Sequence, residues 1–557
     1  MVILLNFFFT LVNLKPSQIF FRLYYLLKKK FRLIPIRIKR NPSILVNGNI
    51  NLTFAHSSFK YFFSSSEIKI HNQTIEIGKL FKPTAQDYSL LTLYHLHYFD
   101  YLADLHTAKQ KRLGVNLILR WIASEPIGSG ISWDSYPLSL RIVNWIKFLN
   151  SNPILSDQDQ WYILNSLMEQ TRFLSRNLEY HLLGNHLFAN AKALFIASHF
   201  LQKKNLVHRS LTILMQQLRK QILPDGAHFE RSTMYNGIIL EDCLDIYSVS
   251  RNEADLNDFN DLLRDLITRM IEYYRYLLHP DGQIAFINDS NFSNGNYPNK
   301  IFDYAKTLGF AISSDSDHSM LFSHSGMGVL KNFTATMIAD VGSIAPDYLP
   351  AHAHAETLCF ELSVSNFRLI VNSGIGEYGR SAERLRQRGT AAHSTLRLDG
   401  RNSSEVWGGF RMGRRARAVS ALDSGCSRLE ASHDGYRART WLGRARGLRH
   451  HRRWELADRR LTVTDWLSPI GKEHLHQHQV EVFYHLHPDW RAEPTVLNHF
   501  LLRHHEQLVE FQAAPQLAWS IETSSYHPEF GLSIPNQVLV GTGMVELNTE
   551  IVIQISW

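Results

Sequence analysis

Thr357-Leu-Cys-Phe-Glu-Leu-Ser-Val364 and Phe367-Arg-Leu-Ile-Val371 decide the fold class of this chain. Each run is apolar and too short for a helix, Ser and Asn stand between them, and each reads as a strand. The same pattern begins upstream with Gly326-Met-Gly-Val-Leu-Lys331 and Ala335-Thr-Met-Ile-Ala339. It continues through Arg460-Leu-Thr-Val-Thr464, Val480-Glu-Val-Phe-Tyr484, Val538-Leu-Val-Gly541 and Ile551-Val-Ile-Gln-Ile555. Many short strands spread over about 230 residues imply a β-sandwich.

Upstream of residue 317 the period changes. Apolar residues recur at three- and four-residue spacing over 90–107, 157–177, 186–202, 210–222, 237–250 and 256–278, which predicts helices. The connections carry breakers, such as Leu223-Pro-Asp-Gly226 and His279-Pro-Asp-Gly282. Helices followed by strands imply separate domains rather than βαβ units. The expected architecture is a multidomain α+β chain. It has a segment of basic and short-strand character over 1–84, a helical array or toroid over 85–316, and an antiparallel β-sandwich over 317–557.

With 557 residues, 45% of them apolar and 12% aromatic, each domain can bury its own core. A formal charge of +8 favours an acidic partner: glycan, nucleic acid or anionic lipid. No zinc-finger or RNP-like motif is present, which argues against nucleic acid. Cys243, Cys359 and Cys426 form neither a disulfide framework nor a C-x-x-C pair. After about residue 335 Arg replaces Lys as the dominant base, densely between Arg380 and Arg460. That shift reads either as a difference in base composition or as a guanidinium surface for carboxylates.

The N-terminus begins with an apolar stretch to Val12 that lacks the basic start and small-residue cleavage site of a signal peptide, and is too short to span a membrane. The stretch from Gln18 to Lys30 reads as a basic amphipathic helix. It is expected either to cover the body of the protein or to lie on a membrane surface.

Four clusters carry chemistry. Leu183-Gly-Asn-His186 opens a helix; Asn185 there reads as a cap, or with His186 as a donor to a substrate carboxylate. Asp225-Gly-Ala-His-Phe-Glu-Arg-Ser-Thr-Met-Tyr-Asn236 gathers His228, Glu230, Arg231 and Tyr235 between a turn and a helix. Pro350-Ala-His-Ala-His-Ala-Glu356 is read as the start of a strand, with His352 and His354 on one face, which suits a metal or a base beside a metal ligand. Arg388-Gly-Thr-Ala-Ala-His-Ser-Thr395 offers His393 as a third ligand, with Trp407-Gly-Gly-Phe-Arg411 just after it. Glu230, Arg231, Arg388 and Trp407 are candidate substrate-binding side chains.

These clusters, in this order, resemble the heparinase II/III family of polysaccharide lyases and its alginate-lyase relatives. The resemblance runs from Trp133-Asp-Ser-Tyr-Pro137 to Arg411; its most specific part is the H-x-H run followed by R-G-T-x-x-H-S-T. It implies an (α/α) toroid followed by an antiparallel β-sandwich, and β-elimination of a uronate-containing polysaccharide. It implies that Asn185 and His186 neutralise the uronate carboxylate, that Tyr235 acts as acid and also as base if nearby cations such as Arg231 lower its pKa, and that His352 is a general base. It further implies a structural zinc or similar divalent ion on His354, the position of Asn372, and His393. Here the chain departs from the family, which has Asp where Asn372 stands, and a neutral amide is the poorer ligand. Glu356 is a further carboxylate nearby in sequence. The family's setting implies the bacterial cell envelope or periplasm, with a cytoplasmic or membrane-peripheral role as the alternative. Two other functions stay open: an inactive acidic-glycan-binding or exopolysaccharide-assembly protein, and a toroid glycoside hydrolase, which would need two carboxylates flanking the bond.

Overall fold

A computed structural model describes residues 2–30, 46, 50, 52–54, 67–76, 88–151, 153–293, 297–313, 318–423, 425–439, 445–471 and 476–557. The expected domain boundaries at 84/85 and 316/317 lie outside these residues.

The front half is helical. Its main helices are Ala108–Ser124, Ser135–Asn150, Asp157–Ser175, Gly184–Phe200, Lys204–Gln221, Thr233–Ser250 and Asn257–Tyr276. Their apolar faces meet in one core; in Asn257–Tyr276 the buried stripe is Phe259, Leu263, Leu266, Ile267, Met270 and Tyr274, at helical spacing. Helix Gly184–Phe200 packs against four neighbours and is buried along almost its whole length. The periodicity reading missed Ala108–Ser124, Ser135–Asn150 and Pro298–Thr307. It also joined two elements over 90–107: helix Leu90–Tyr98 stops where Phe99 turns left-handed at φ 60°, and a short 3-10 segment, Asp100–Asp104, follows.

The rear half is antiparallel. An eight-stranded sheet faces a layer made of a five-stranded and a four-stranded sheet, which an isolated bridge between Ile370 and Leu486 joins. Inward residues of all three, among them Met337, Leu362, Trp454, Val480 and Leu539, form one core. The two runs that open the sequence reading pair as strands Phe360–Val364 and Phe367–Ile370 in the five-stranded sheet.

A seam joins the halves. Segment 284–293 leaves the last long helix and lies between the domains. Thr233 Oγ1 donates to Ala285 O and Ser232 Oγ to Asp289 O from the helical side. From the sandwich side Asn372 Nδ2 donates to Phe286 O at 3.0 Å and Asp289 N to His352 O at 3.0 Å. This fixes the rear-half loops against the front-half helix starts, and there the site forms.

Two N-terminal helices, α1 (Val2–Val12) and α2 (Pro16–Lys30), lie across both domains. On the sandwich side Trp407 Nε1 donates to Thr10 Oγ1 at 3.2 Å and Gln18 Nε2 donates to Tyr348 O at 3.3 Å. On the helical side Phe21 stacks on Tyr180 at 4.9 Å and Lys28 Nζ donates to Asn177 Oδ1 at 2.8 Å. The segment therefore does cover the body of the protein.

Candidate active site

A cleft of about 1460 Å³ opens between the two halves. Asn185, His186, Glu230 and Tyr235 line it from the helical side, and His352 and Tyr378 from the sandwich side.

Backbone strain presents the first pair. Leu183 and Gly184 both have positive φ, 67° and 55°, just ahead of the helix. A Cβ on Gly184 would sit 2.4 Å from Leu349 Cδ2 and 2.7 Å from Glu230 Oε1, so only glycine fits. Asn185 does not cap the helix. Leu183 holds the cap position, and the Asn185 backbone N–H donates to Glu230 Oε1 at 3.1 Å, leaving its side chain on the cleft wall. His186 Nδ1 lies 3.2 Å from Glu179 Oε1, and its ring packs on Tyr136 at 4.5 Å. Asn190 Nδ2 holds the other Glu179 oxygen at 3.0 Å. Burial alone would lower the His186 pKa, but the Glu179 charge and hydrogen bond, with Glu230, leave it above the ordinary imidazole value. This pairing favours the protonated form of His186, which lines the cleft.

Tyr235 stands in the first turn of helix Thr233–Ser250, whose cap, Ser232 Oγ, accepts from Tyr235 N at 3.2 Å. Its hydroxyl lies 3.3 Å from that of Tyr378, and its ring is 4.1 Å from the His352 ring. Burial, and then the neighbouring Tyr378, push its pKa well above 10, so it is a neutral phenol. Arg231 does not counter this. Its guanidinium donates to Ser343 O and His324 O, away from Tyr235.

His352 and His354 do not lie on a strand: residues 350–358 form a loop and the strand begins at Phe360. They converge all the same, on Asp289. Its Oδ2 is 2.9 Å from His352 Nδ1, and its Oδ1 is 2.7 Å from His354 Nε2. Arg384 closes the hub with a bidentate pair to the same carboxylate at 2.6 and 2.7 Å. Although burial would raise it, Arg384 and the two histidines hold the Asp289 pKa well below the usual carboxylate range. The second His352 nitrogen is 3.5 Å from Glu230 Oε2.

Three of the candidate substrate binders are not among the residues that line the cleft. Arg388 is fully buried and gives its guanidinium to the carbonyls of Ala353 and Gly409, tying the histidine loop down. Arg231 is spent on carbonyls as described above, and Trp407 packs against α1. Among the described residues no arginine lines the cleft. Arg384, Arg388 and Arg452, from the arginine-rich stretch, are core residues. Sequence reasoning missed Glu179, Asp289, Tyr378 and Arg384. Only Asp289, in the polar run Asn288-Asp289-Ser290-Asn291, carried a signal, and it reads as a turn.

A second group lies behind the hub. His354, Glu356 and His393 are buried, with one ligand atom from each within 4.8 Å of the others. Glu356 Oε2 is 3.1 Å from His393 Nδ1 and 4.0 Å from His354 Nδ1. His354 Nδ1, Glu356 Oε2 and His393 Nε2 are buried without a hydrogen bond. Burial depresses both histidines, His354 to about 4, and raises Glu356. Neutral imidazoles beside a carboxylate that lacks a cation fit a divalent ion. Asn372 donates its amide nitrogen to Phe286 O and Cys359 Sγ, and its Oδ1 lies 3.3 Å from His393 Nδ1, so Glu356 joins the expected group beside Asn372.

Two family models match the chain: the heparinase II/III N-terminus over residues 27–310 and the heparinase II/III-like C-terminal domain over 315–554. The heparin-sulfate lyase of Bacteroides stercoris is 25% identical over 249 residues, 40% of this chain and 37% of that protein. The heparin-sulfate lyase of Pedobacter heparinus is 24% identical over 315 residues, 51% of this chain and 47% of that protein. The chain thus spans less than half the length of these curated relatives. Among solved structures, heparinase III superposes with a TM-score of 0.65 at 15% identity, covering 94% of this chain and 88% of that one. A mutant of heparan sulfate lyase HepC from Pedobacter heparinus gives 0.59 at 17% identity, covering 88% and 81%. The fold is therefore that of an (α/α) toroid followed by a β-sandwich.

Proposed function

We propose, from the premise that this chain belongs to the heparinase II/III family, that it cleaves a uronate-containing acidic polysaccharide by β-elimination. One observation carries the reading. An amide, a carboxylate-paired imidazole and a neutral phenol from the toroid share one cleft with a carboxylate-anchored histidine from the sandwich.

Each residue type answers a requirement of the chemistry. Removing the uronate C5 proton drives charge onto the carboxylate, and donors aimed there favour the transition state over the ground state. Asn185 and protonated His186 take that role. His352 accepts the C5 proton on the nitrogen turned from Asp289, which orients the ring through Nδ1. Tyr235, protonated through its burial, gives its proton to the glycosidic oxygen at C4. The C5–H electrons become the C4–C5 double bond and the C4–O bond breaks. The departing oxygen becomes the hydroxyl of a new reducing end.

The buried group takes a structural zinc in this reading, held by His354, Glu356 and His393. When bound, such an ion supplies a fixed positive charge that neutralises Glu356 and immobilises the loop bearing His352. The substrate is the only macromolecular partner the reaction needs. The relatives named above are bacterial, and the reading sets the chain in the bacterial cell envelope.

Incubation with a panel of uronate polymers tests the reading. Ultraviolet absorbance from an unsaturated uronate is the expected product. Retardation of acidic polymer without cleavage would instead make this a glycan-binding protein.

A further inference from the structure

We infer that the outer face of the α1–α2 helix pair docks on an anionic membrane surface. The inward positions of α2 are Gln18, Phe21, Tyr25 and Lys28, which bind the two domains as described. The opposite arc is apolar and open to solvent: Phe20 is 62% exposed, Leu23 58%, Leu26 65% and Leu27 55%. Phe8 and Val12 on α1 are also exposed, at 58% and 65%. Of 22 exposed large hydrophobic residues in the described chain, ten fall within the first 27 residues. So dense an apolar patch on a helix already seated on its own protein calls for a second apolar medium.

Charge selects the medium. Ten Lys and Arg residues and no Asp or Glu precede Glu67, and Arg22, one of them, is exposed on α2 next to Leu23 of the arc. Apolar side chains in a basic segment match the acyl boundary and headgroups of an anionic bilayer. A second copy of the chain would set like charge against like charge at this face. Among the described residues no helix is long and apolar enough to cross a membrane, so the contact is interfacial. Tyr25 and Lys28, on the inner side of the same helix, line the cleft, so docking would hold its rim at the membrane surface. This inference does not depend on the reaction assigned to the cleft.

Co-sedimentation of the full chain with vesicles tests it, using phosphatidylcholine alone or mixed with phosphatidylglycerol. Partitioning should be about tenfold or more stronger with phosphatidylglycerol and should weaken with salt. The exposed double substitution Leu23→Asp, Leu27→Asp should lower it about tenfold or more, with the thermal midpoint unchanged. No partitioning, or equal partitioning of the chain and the double variant, overturns the inference. So does a dimer in sedimentation velocity that the double variant abolishes, if vesicles bind neither protein.

Discussion

The Tyr235 ring, carried by the toroid, lies 4.1 Å from the His352 ring, carried by a sandwich loop, with 33° between their planes. In this pair the phenol comes from one domain and the imidazole from the other. The seam at 284–293 keeps the two in register, and Asp289 from that seam binds His352 directly. The predictions below follow from this shared construction.

Tyr235→Phe keeps the ring stack and removes the proton donor. We expect elimination to fall about 10²–10⁴-fold, with little change in thermal midpoint. Initial rates of unsaturated-product formation and a melting curve check this together.

Glu179→Gln should move the pH profile. Burial lowers the His186 pKa, and Glu179 more than reverses it. The cation, and the stability its pairing contributes, are complete below the unfolded imidazole pKa and are lost as pH rises through the raised one. Removing the carboxylate lowers that pKa. The alkaline fall in kcat/KM should therefore move to lower pH, while the protein stays folded by circular dichroism.

Arg384→Met should destabilise the fold by about 3–5 kcal/mol, because it leaves the Asp289 carboxylate buried without its cation. Denaturant titration measures this. Elimination by the folded fraction should also fall, since Asp289 orients His352.

Purified protein should carry a divalent metal, and Glu356→Gln should lose it. Elemental analysis reads the content. Chelation should lower the thermal midpoint, by about 1 °C for each kcal/mol of lost binding energy in a chain of 557 residues.

Gly184→Ala puts a Cβ at 2.4 Å from Leu349 Cδ2 on a left-handed backbone. We expect a loss of about 1–3 kcal/mol in denaturant titration and a weakened carboxylate site, because Asn185 and His186 follow directly.

The order of domains was legible because periods of 3.6 and 2 are written in different stretches, as 257–276 and 551–556 demonstrate. Helices such as Ser135–Asn150 were not, because an element buried on most sides loses the amphipathic period. His352 and His354 stand out by composition, but the strand expected for them is a loop, and they meet through Asp289, which is distant in sequence. Arg231 and Arg388 drew a substrate role because sequence cannot tell whether a guanidinium faces solvent or a set of backbone carbonyls. Glu356 lay beside the histidines throughout. Its place in the metal group depends on how the loop folds back toward His393.

The most direct measurement counts products on one uronate polymer, comparing new reducing ends with unsaturated chromophores over time. β-Elimination predicts one chromophore for every reducing end, both suppressed in Tyr235→Phe. Reducing ends that accumulate without the chromophore would contradict the account.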